Sequence, residues 1–419
     1  MKIAIIVQRF GREILGGAER HAALVASLLA RHHEVEVLTS AAADYRTWAP
    51  VLPPGPARED GLVVRRFVVE RGREPFWPAL HDLLLDGVAA EDFAGLAPAD
   101  REAFERRVRA WPEALQEAYL RAQGPHCPTL HDHLRTTRYD RHLFFTYLYP
   151  TTLDGLDAIA PARARVVPTF HDEPTALLPI VGRRLARTRL LCSTQAEVAL
   201  LSRLHPAPQF DARVLGYGVA LPEDRPAADP CDSPYLLFAG RIDPQKGIAE
   251  LLHWYAALRS VAVPAPRLVL AGEVLMDLPR MPGLETPGVV SEERKLELMR
   301  GALALVHASP FESLGIVLLE AAACRTPLIV NATCAAMVEI CQEGHCGIPV
   351  RDAAEAVAAV QALAADVALR NKLGAAGRAF VTDRFSLAAY EQRLLEEFPR
   401  RDGASSVVSA GNRRSDPFF

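Results

Sequence analysis

The residues with the clearest chemical potential lie in Ser309-Pro310-Phe311-Glu312-Ser313-Leu314-Gly315-Ile316-Val317-Leu318-Leu319-Glu320-Ala321. Two carboxylates, Glu312 and Glu320, bracket seven uncharged residues. Ser309-Pro310 and the Ser313/Gly315 pair read as a loop feeding a helix that begins near Leu314 and runs to Cys324. That helix is apolar on nearly every face, so it is expected to be buried, and a buried glutamate needs a partner. On a helical rise the two carboxylates would stand roughly 12 Å apart. The free N–H groups of the helix N-terminus lie between them, and they favour an anion such as phosphate. A carboxylate, an anion site and a second carboxylate in a row suit a sugar, a diphosphate and a ribose.

A second set of candidates follows Tyr235-Leu236-Leu237-Phe238-Ala239-Gly240, a run that reads as a buried strand. Arg241 and Lys246 come between that strand and a helix starting near Ile248. A guanidinium fork and an ammonium point charge there suit a diphosphate. A third candidate is His171, in Thr169-Phe170-His171-Asp172 at the carboxyl end of a strand over 165–170, where open α/β sheets bind ligands. Its own reading stays open between general base, sugar contact and loop histidine. Gly16-Gly17-Ala18-Glu19 opens the first helix after the strand Lys2–Gln8, but the dinucleotide G-x-G-x-x-G pattern is absent. His131-Asp132-His133 invites a metal reading; two histidines at i, i+2 fit a loop or strand, and no third ligand is evident nearby.

Phe311-Glu312-Ser313-Leu314-Gly315 with Glu320-Ala321 resembles the E-x7-E motif of retaining glycosyltransferase family 4. Gly240-Arg241 with Lys246-Gly247 resembles the diphosphate pair of the same family. The resemblance implies the GT-B fold, two Rossmann-like domains facing each other across a cleft with a terminal helix crossing back to the first. It implies that Glu312 contacts the donor sugar and Glu320 the ribose hydroxyls. The amides of Leu314, Gly315 and Ile316, with Arg241 and Lys246, would meet the diphosphate. Val290 would lie in the turn that seats the base, Gly17 would face donor and acceptor, and His171 would be an active-site residue. The activity implied is transfer of a sugar from a nucleotide-diphosphate sugar to an acceptor hydroxyl with retention, by a front-side route in which the donor phosphate takes the acceptor's proton. Polysaccharide, glycolipid or small-molecule glycoside synthesis would be the setting. No Asp-x-Asp metal motif is apparent, so neither metal nor cofactor is expected. A nucleotide-sugar epimerase or hydrolase on this fold, kept open by Asp172 and Glu173, and a non-catalytic nucleotide-sugar-binding protein are the alternatives.

The rest of the chain must position these groups. At 419 residues, 50% hydrophobic and 23% charged, it is long enough for two well-packed α/β domains. A net charge of −4 provides no field for nucleic acid. Seven cysteines in an odd set, with gaps of nine, six and four among the last four, fit reduced thiols better than disulfides or zinc. The chain opens directly on a strand and has no apolar run of about 18 residues, so a cytoplasmic protein is expected. If the acceptor is lipid-linked, it would work at the inner face of the membrane.

The expected layout is an acceptor-side domain at 1–220 with a helical insertion at about 75–124, then a linker rich in Pro, Asp and Ala at 221–234. A nucleotide-sugar domain follows at 235–384, a crossover helix at 385–400 and a polar disordered tail at 401–419. Within the insertion, Phe104, Val108, Trp111, Leu115 and Tyr119 predict one core-facing helix over 103–120. Pro50–Pro56 reads as an extended loop and Ala212–Val219 as a last short strand.

Overall fold

Long apolar runs set the architecture. Ile3, Ala4, Ile5 and Ile6 have no exposed surface, and Tyr235–Ala239 is buried throughout. Strands this apolar on both faces must lie inside a sheet covered by helices on two sides. The computed structural model describes residues 1–14, 16–224, 234–262 and 264–400, and it contains two such sheets. Most of the predicted linker and all of the predicted tail lie outside the described residues.

The first sheet has eight strands: β1 (Lys2–Ile6), β2 (Glu34–Ser40), β3 (Gly55–Glu59), β4 (Leu62–Phe67), β5 (Arg141–Phe145), β6 (Ala164–Val167), β7 (Arg189–Cys192) and β8 (Asp211–Val214). Their order is β3-β4-β2-β1-β5-β6-β7-β8. All neighbours are parallel except β3, which runs antiparallel to β4 at the edge. The second sheet has six parallel strands: β9 (Tyr235–Ala239), β10 (Arg267–Ala271), β11 (Leu284–Gly288), β12 (Ala304–His307), β13 (Leu328–Asn331) and β14 (Gly347–Val350), ordered β11-β10-β9-β12-β13-β14. In each sheet the strand order reverses direction beside the first strand of its domain, which opens a crevice at the strand carboxyl ends. The chain ends of β9 and β12, where Arg241 and Glu312 follow, flank that point in the second sheet.

Several expectations need correction. The single helix over 103–120 is two, Pro98–Arg109 and Glu113–Ala122. Pro112 lies between them with extended backbone, because proline has no N–H to continue a helix and restricts the residue before it. Its apolar face holds: Phe104, Val108, Trp111 and Tyr119 are buried. Part of the Pro50–Pro56 loop is edge strand β3, and the predicted strand over 212–219 is β8, which ends at Val214. His131 and His133 lie in neither loop nor strand but in helix Pro128–Thr136, started by a proline at its first position. Two residues apart on a helix they point to nearly opposite faces, and His133 is held by the Tyr139 hydroxyl at 2.9 Å. Strand β14 and helix Ala335–Gly344 were not anticipated.

Two chain segments cross between the domains side by side, where the Val219 N–H donates to the Phe385 carbonyl at 2.7 Å. The last helix, Leu387–Glu397, then packs on helix Gly17–Ala30 of the first domain, burying Tyr390, Leu394 and Phe398. Among the described residues no helix is long and apolar enough to cross a membrane.

Candidate active site

The turn after β9 is shaped by short-range capping. Gly240 takes φ 145°, and the Asp243 carboxylate accepts the Lys246 N–H at 3.2 Å over the short turn Pro244–Lys246. Gly247 then takes the left-handed φ of 68° to start helix Ile248–Val261. A side chain there would put its Cβ 2.3 Å from the Ala308 carbonyl oxygen, so the Lys246 turn and the end of β12 touch where only glycine fits. Ser309 fastens the same two loops: its hydroxyl reaches the Gln245 carbonyl at 3.2 Å and accepts the Phe311 N–H at 3.1 Å.

This brings Lys246 and Glu312 together. Lys246 Nζ lies 2.6 Å from Glu312 Oε1, and His307 Nε2 lies 3.7 Å from the same oxygen. Burial alone would raise the Glu312 carboxyl, but Lys246, with His307 and His171 nearby, holds it below the usual carboxylate range. Burial pushes His307 down to about 4, and it also lowers His171, so both rings are neutral near pH 7. Glu312 and Lys246, from the second domain, are among the charges that act on His171 of the first. His307 was missed from sequence; it reads as one more residue of a buried strand.

Helix Ile316–Ala323 begins on Gly315, whose φ of 79° is left-handed. Its first N–H groups have no acceptor within the helix and sit next to Glu312. Because only 316–320 of the intervening span is helical, the rise-per-residue separation of Glu312 and Glu320 does not apply. Nor is Glu320 sealed in a core: its side chain is 21% exposed and pairs with Lys295 at 2.9 Å. Lys295 also meets Glu292 at 2.7 Å, and Glu292 lies 3.6 Å from Arg20 of the first domain. Lys295 had no signal in the sequence beyond helix Glu292–Gly301 itself. Val290 is half-buried just before that helix and packs against the core.

On the facing wall, Gly16 is the constrained glycine of its pair. A Cβ there would sit 2.0 Å from the Glu19 carboxylate, whereas one on Gly17 would meet nothing within 4 Å. Gly17 therefore leaves open space at the start of the helix. Glu19 is buried and held by Gln8 Nε2 at 3.0 Å and by Arg9 Nη2 at 2.6 Å. Arg9 also lies 5.1 Å from the ring of Tyr45, and Arg241 approaches the same ring from the second domain at 5.7 Å, donating to its hydroxyl at 3.2 Å. Asp172 and Glu173, the carboxylates next to His171, are both engaged. Asp172 pairs with Arg101 and, at 2.7 Å, with Arg203; Glu173 accepts from the Tyr147 hydroxyl at 2.5 Å.

Two domains of mainly parallel strands, with Glu312 paired to Lys246 after the strands that flank the crevice of the second sheet, have the two-domain arrangement of the GT-B fold. Residues 223–380 match the family model for glycosyl transferases group 1. Among curated proteins the chain is similar to a D-inositol 3-phosphate glycosyltransferase of Frankia alni, 29% identical over 68% of this chain and 80% of that protein. It is also similar to an alpha-maltose-1-phosphate synthase of Mycolicibacterium smegmatis, 32% identical over 39% of this chain and 47% of that one, so it spans about half the length of that relative. Among solved structures, sucrose-phosphate synthase of Thermosynechococcus elongatus superposes with a TM-score of 0.64 at 20% identity, covering 95% of this chain and 98% of that chain. An Anabaena protein in complex with UDP and glucose gives 0.61 at 16%, covering 95% and 99%. At these identities the superpositions establish the fold.

Proposed function

We propose that this protein transfers a sugar from a nucleotide-diphosphate sugar to an acceptor hydroxyl with retention at the anomeric carbon and without a metal. The observation that carries this reading is the Lys246–Glu312–His307 group beside the Gly315-capped helix, with Arg241 at its edge. Arg241, Lys246 and the helix amides are fixed positive charge where the leaving diphosphate would develop negative charge, the effect expected to supply most of the rate. Glu312, kept ionised by Lys246, would orient the sugar through its hydroxyls. Glu320, with one oxygen on Lys295, would hold the ribose with the other. Neutral His171, on the first domain, would contact sugar or acceptor. The donor phosphate would take the acceptor's proton. The epimerase or hydrolase alternative needed a free acid/base pair near His171; Asp172 and Glu173 are both committed to other partners.

The acceptor would sit against the first domain, near Gly17, Tyr45 and His171. Arg73, stacked 4.3 Å over Trp77, has only the Tyr45 carbonyl as an acceptor, at 3.2 Å, and no carboxylate partner among the described residues. This suits an acceptor carrying a negative group, in line with the phosphate in the names of relatives. The six described cysteines are all buried free thiols, which supports a cytoplasmic setting.

The test is a panel of UDP-, GDP-, ADP- and dTDP-sugars, scored by thermal stabilisation, with Glu320→Ala alongside and with EDTA present. One donor stabilising the wild type and not the variant is the expected result, followed by an anomeric configuration retained in the product by NMR. No stabilisation by any donor overturns the reading.

A further inference from the structure

The amino-terminal end of helix Gln195–Leu204, in the first domain, is tied to the second domain by backbone and side-chain hydrogen bonds. Glu339, on helix Ala335–Gly344, accepts the Gln195 N–H at 2.8 Å and the Ala196 N–H at 2.5 Å. The start of a helix leaves such N–H groups without an intrahelical acceptor and carries partial positive charge, so a carboxylate arriving from another domain satisfies both needs. Thr194, buried at the same helix end, accepts the Glu197 N–H at 3.1 Å and donates to the Ser313 carbonyl at 3.1 Å. Ser313 lies directly between Glu312 and Leu314.

The same helix holds the other wall of the site. Glu197, 2% exposed, accepts the N–H of Phe170 at 2.5 Å and of Ser193 at 2.5 Å. Phe170 immediately precedes His171. Phe311, next to Glu312, packs its ring on the apolar core of the first domain. One helix end is therefore bonded to the donor loop through Thr194, to the His171 loop through Glu197 and to the body of the second domain through Glu339.

We propose that Glu339 and Thr194 form a clasp that holds the cleft closed and sets the Glu312–Gly315 loop against His171. They act as positioning residues, since neither touches the reacting groups. The kinetic readout rests on the glycosyl-transfer reading; the readout of domain closure does not.

The test compares wild type, Glu339→Ala and Glu339→Gln by small-angle X-ray scattering with and without saturating UDP, with GDP and ADP in parallel, and by donor kinetics. Glu339→Ala is expected to enlarge the radius of gyration and to raise the donor KM about tenfold, with a smaller change in kcat. Glu339→Gln keeps one carbonyl oxygen for the helix end and should recover most of the KM. Wild-type scattering together with a wild-type donor KM in Glu339→Ala overturns the clasp. Should that variant fail to fold, hydrogen exchange in the wild type decides. Slow exchange at Gln195 and Ala196, slower still with nucleotide, supports the clasp, and fast exchange in both conditions overturns it. If no donor is turned over, scattering and exchange still judge the clasp while the functional reading falls separately.

Discussion

The two seams between the domains are made of different materials. Along the crossover helix the seam is a core: Tyr390, Leu394 and Phe398 are fully buried, and His21 Nε2 lies 2.6 Å from the Tyr390 hydroxyl with its ring edge-on to Tyr217 and Phe145. Ion pairs frame it, with Glu397 between Arg165 and Arg189 and Glu391 on His32 at 2.8 Å. Across the cleft the contacts are mostly polar, with the ring of Phe311 beside them: Glu339 on a helix end, Thr194 on Ser313, Arg241 on Tyr45. Opening the first seam exposes large rings. Opening the second exchanges a few hydrogen bonds, each worth about 0.5–1.5 kcal/mol net, for water. This contrast predicts a hinge at Val219 and Phe385 and a movable edge at the site.

The sharpest way to break this contrast is Tyr390→Ala. Removing a fully buried ring should cost about 3–5 kcal/mol in denaturant unfolding; a loss below about 1 kcal/mol would make the two seams alike. Next is Glu312→Gln, which keeps the shape of the site and leaves Lys246 partly solvated. Its kcat/KM should fall about 100-fold.

Acid should weaken the hinge seam. Burial pushes His21 from 6.5 down to about 3, so the neutral ring stabilises the fold fully above pH 6.5. That contribution is lost as pH falls through the window from 6.5 toward 3, because the unfolded chain gains a proton that the folded one refuses. Unfolding measured across that window should show a shallower loss in His21→Gln than in the wild type; identical slopes would remove His21 from the account. The smallest effect is expected of Lys295→Met. It frees Glu320 from a partly exposed pair and should raise the donor KM about two- to fivefold, the size of one such ion pair.

What the sequence disclosed and what it hid divide along similar lines. The apolar runs of β1 and β9 and the order of strands and helices are local signals, and Arg241, Lys246, Glu312 and Glu320 fall where short motifs place them. His307, Lys295 and Glu339 carry no such signal. His307 is a polar letter in a buried strand, and Glu339 becomes legible only when a helix 143 to 144 residues distant in sequence arrives beside it. Pro112 and Pro128 were visible yet outweighed by periodicity in one case and by a metal-like spacing in the other. Glu320 shows the opposite error: an apolar helix suggested full burial, but the end facing the cleft stays open to Lys295.

Gly247 ties the halves of the donor site into one mechanical piece. A hydrogen where other residues carry a side chain is all that keeps the Lys246 turn from colliding with the Ala308 carbonyl, and the end of β12 carries His307 and Ser309 on either side of that carbonyl. The cation and the carboxylate are thus not two parts that happen to meet. They are carried on loops with no slack between them, so a shift in one is transmitted to the other, and a methyl group at position 247 would spoil the spacing of the pair without altering either charged group.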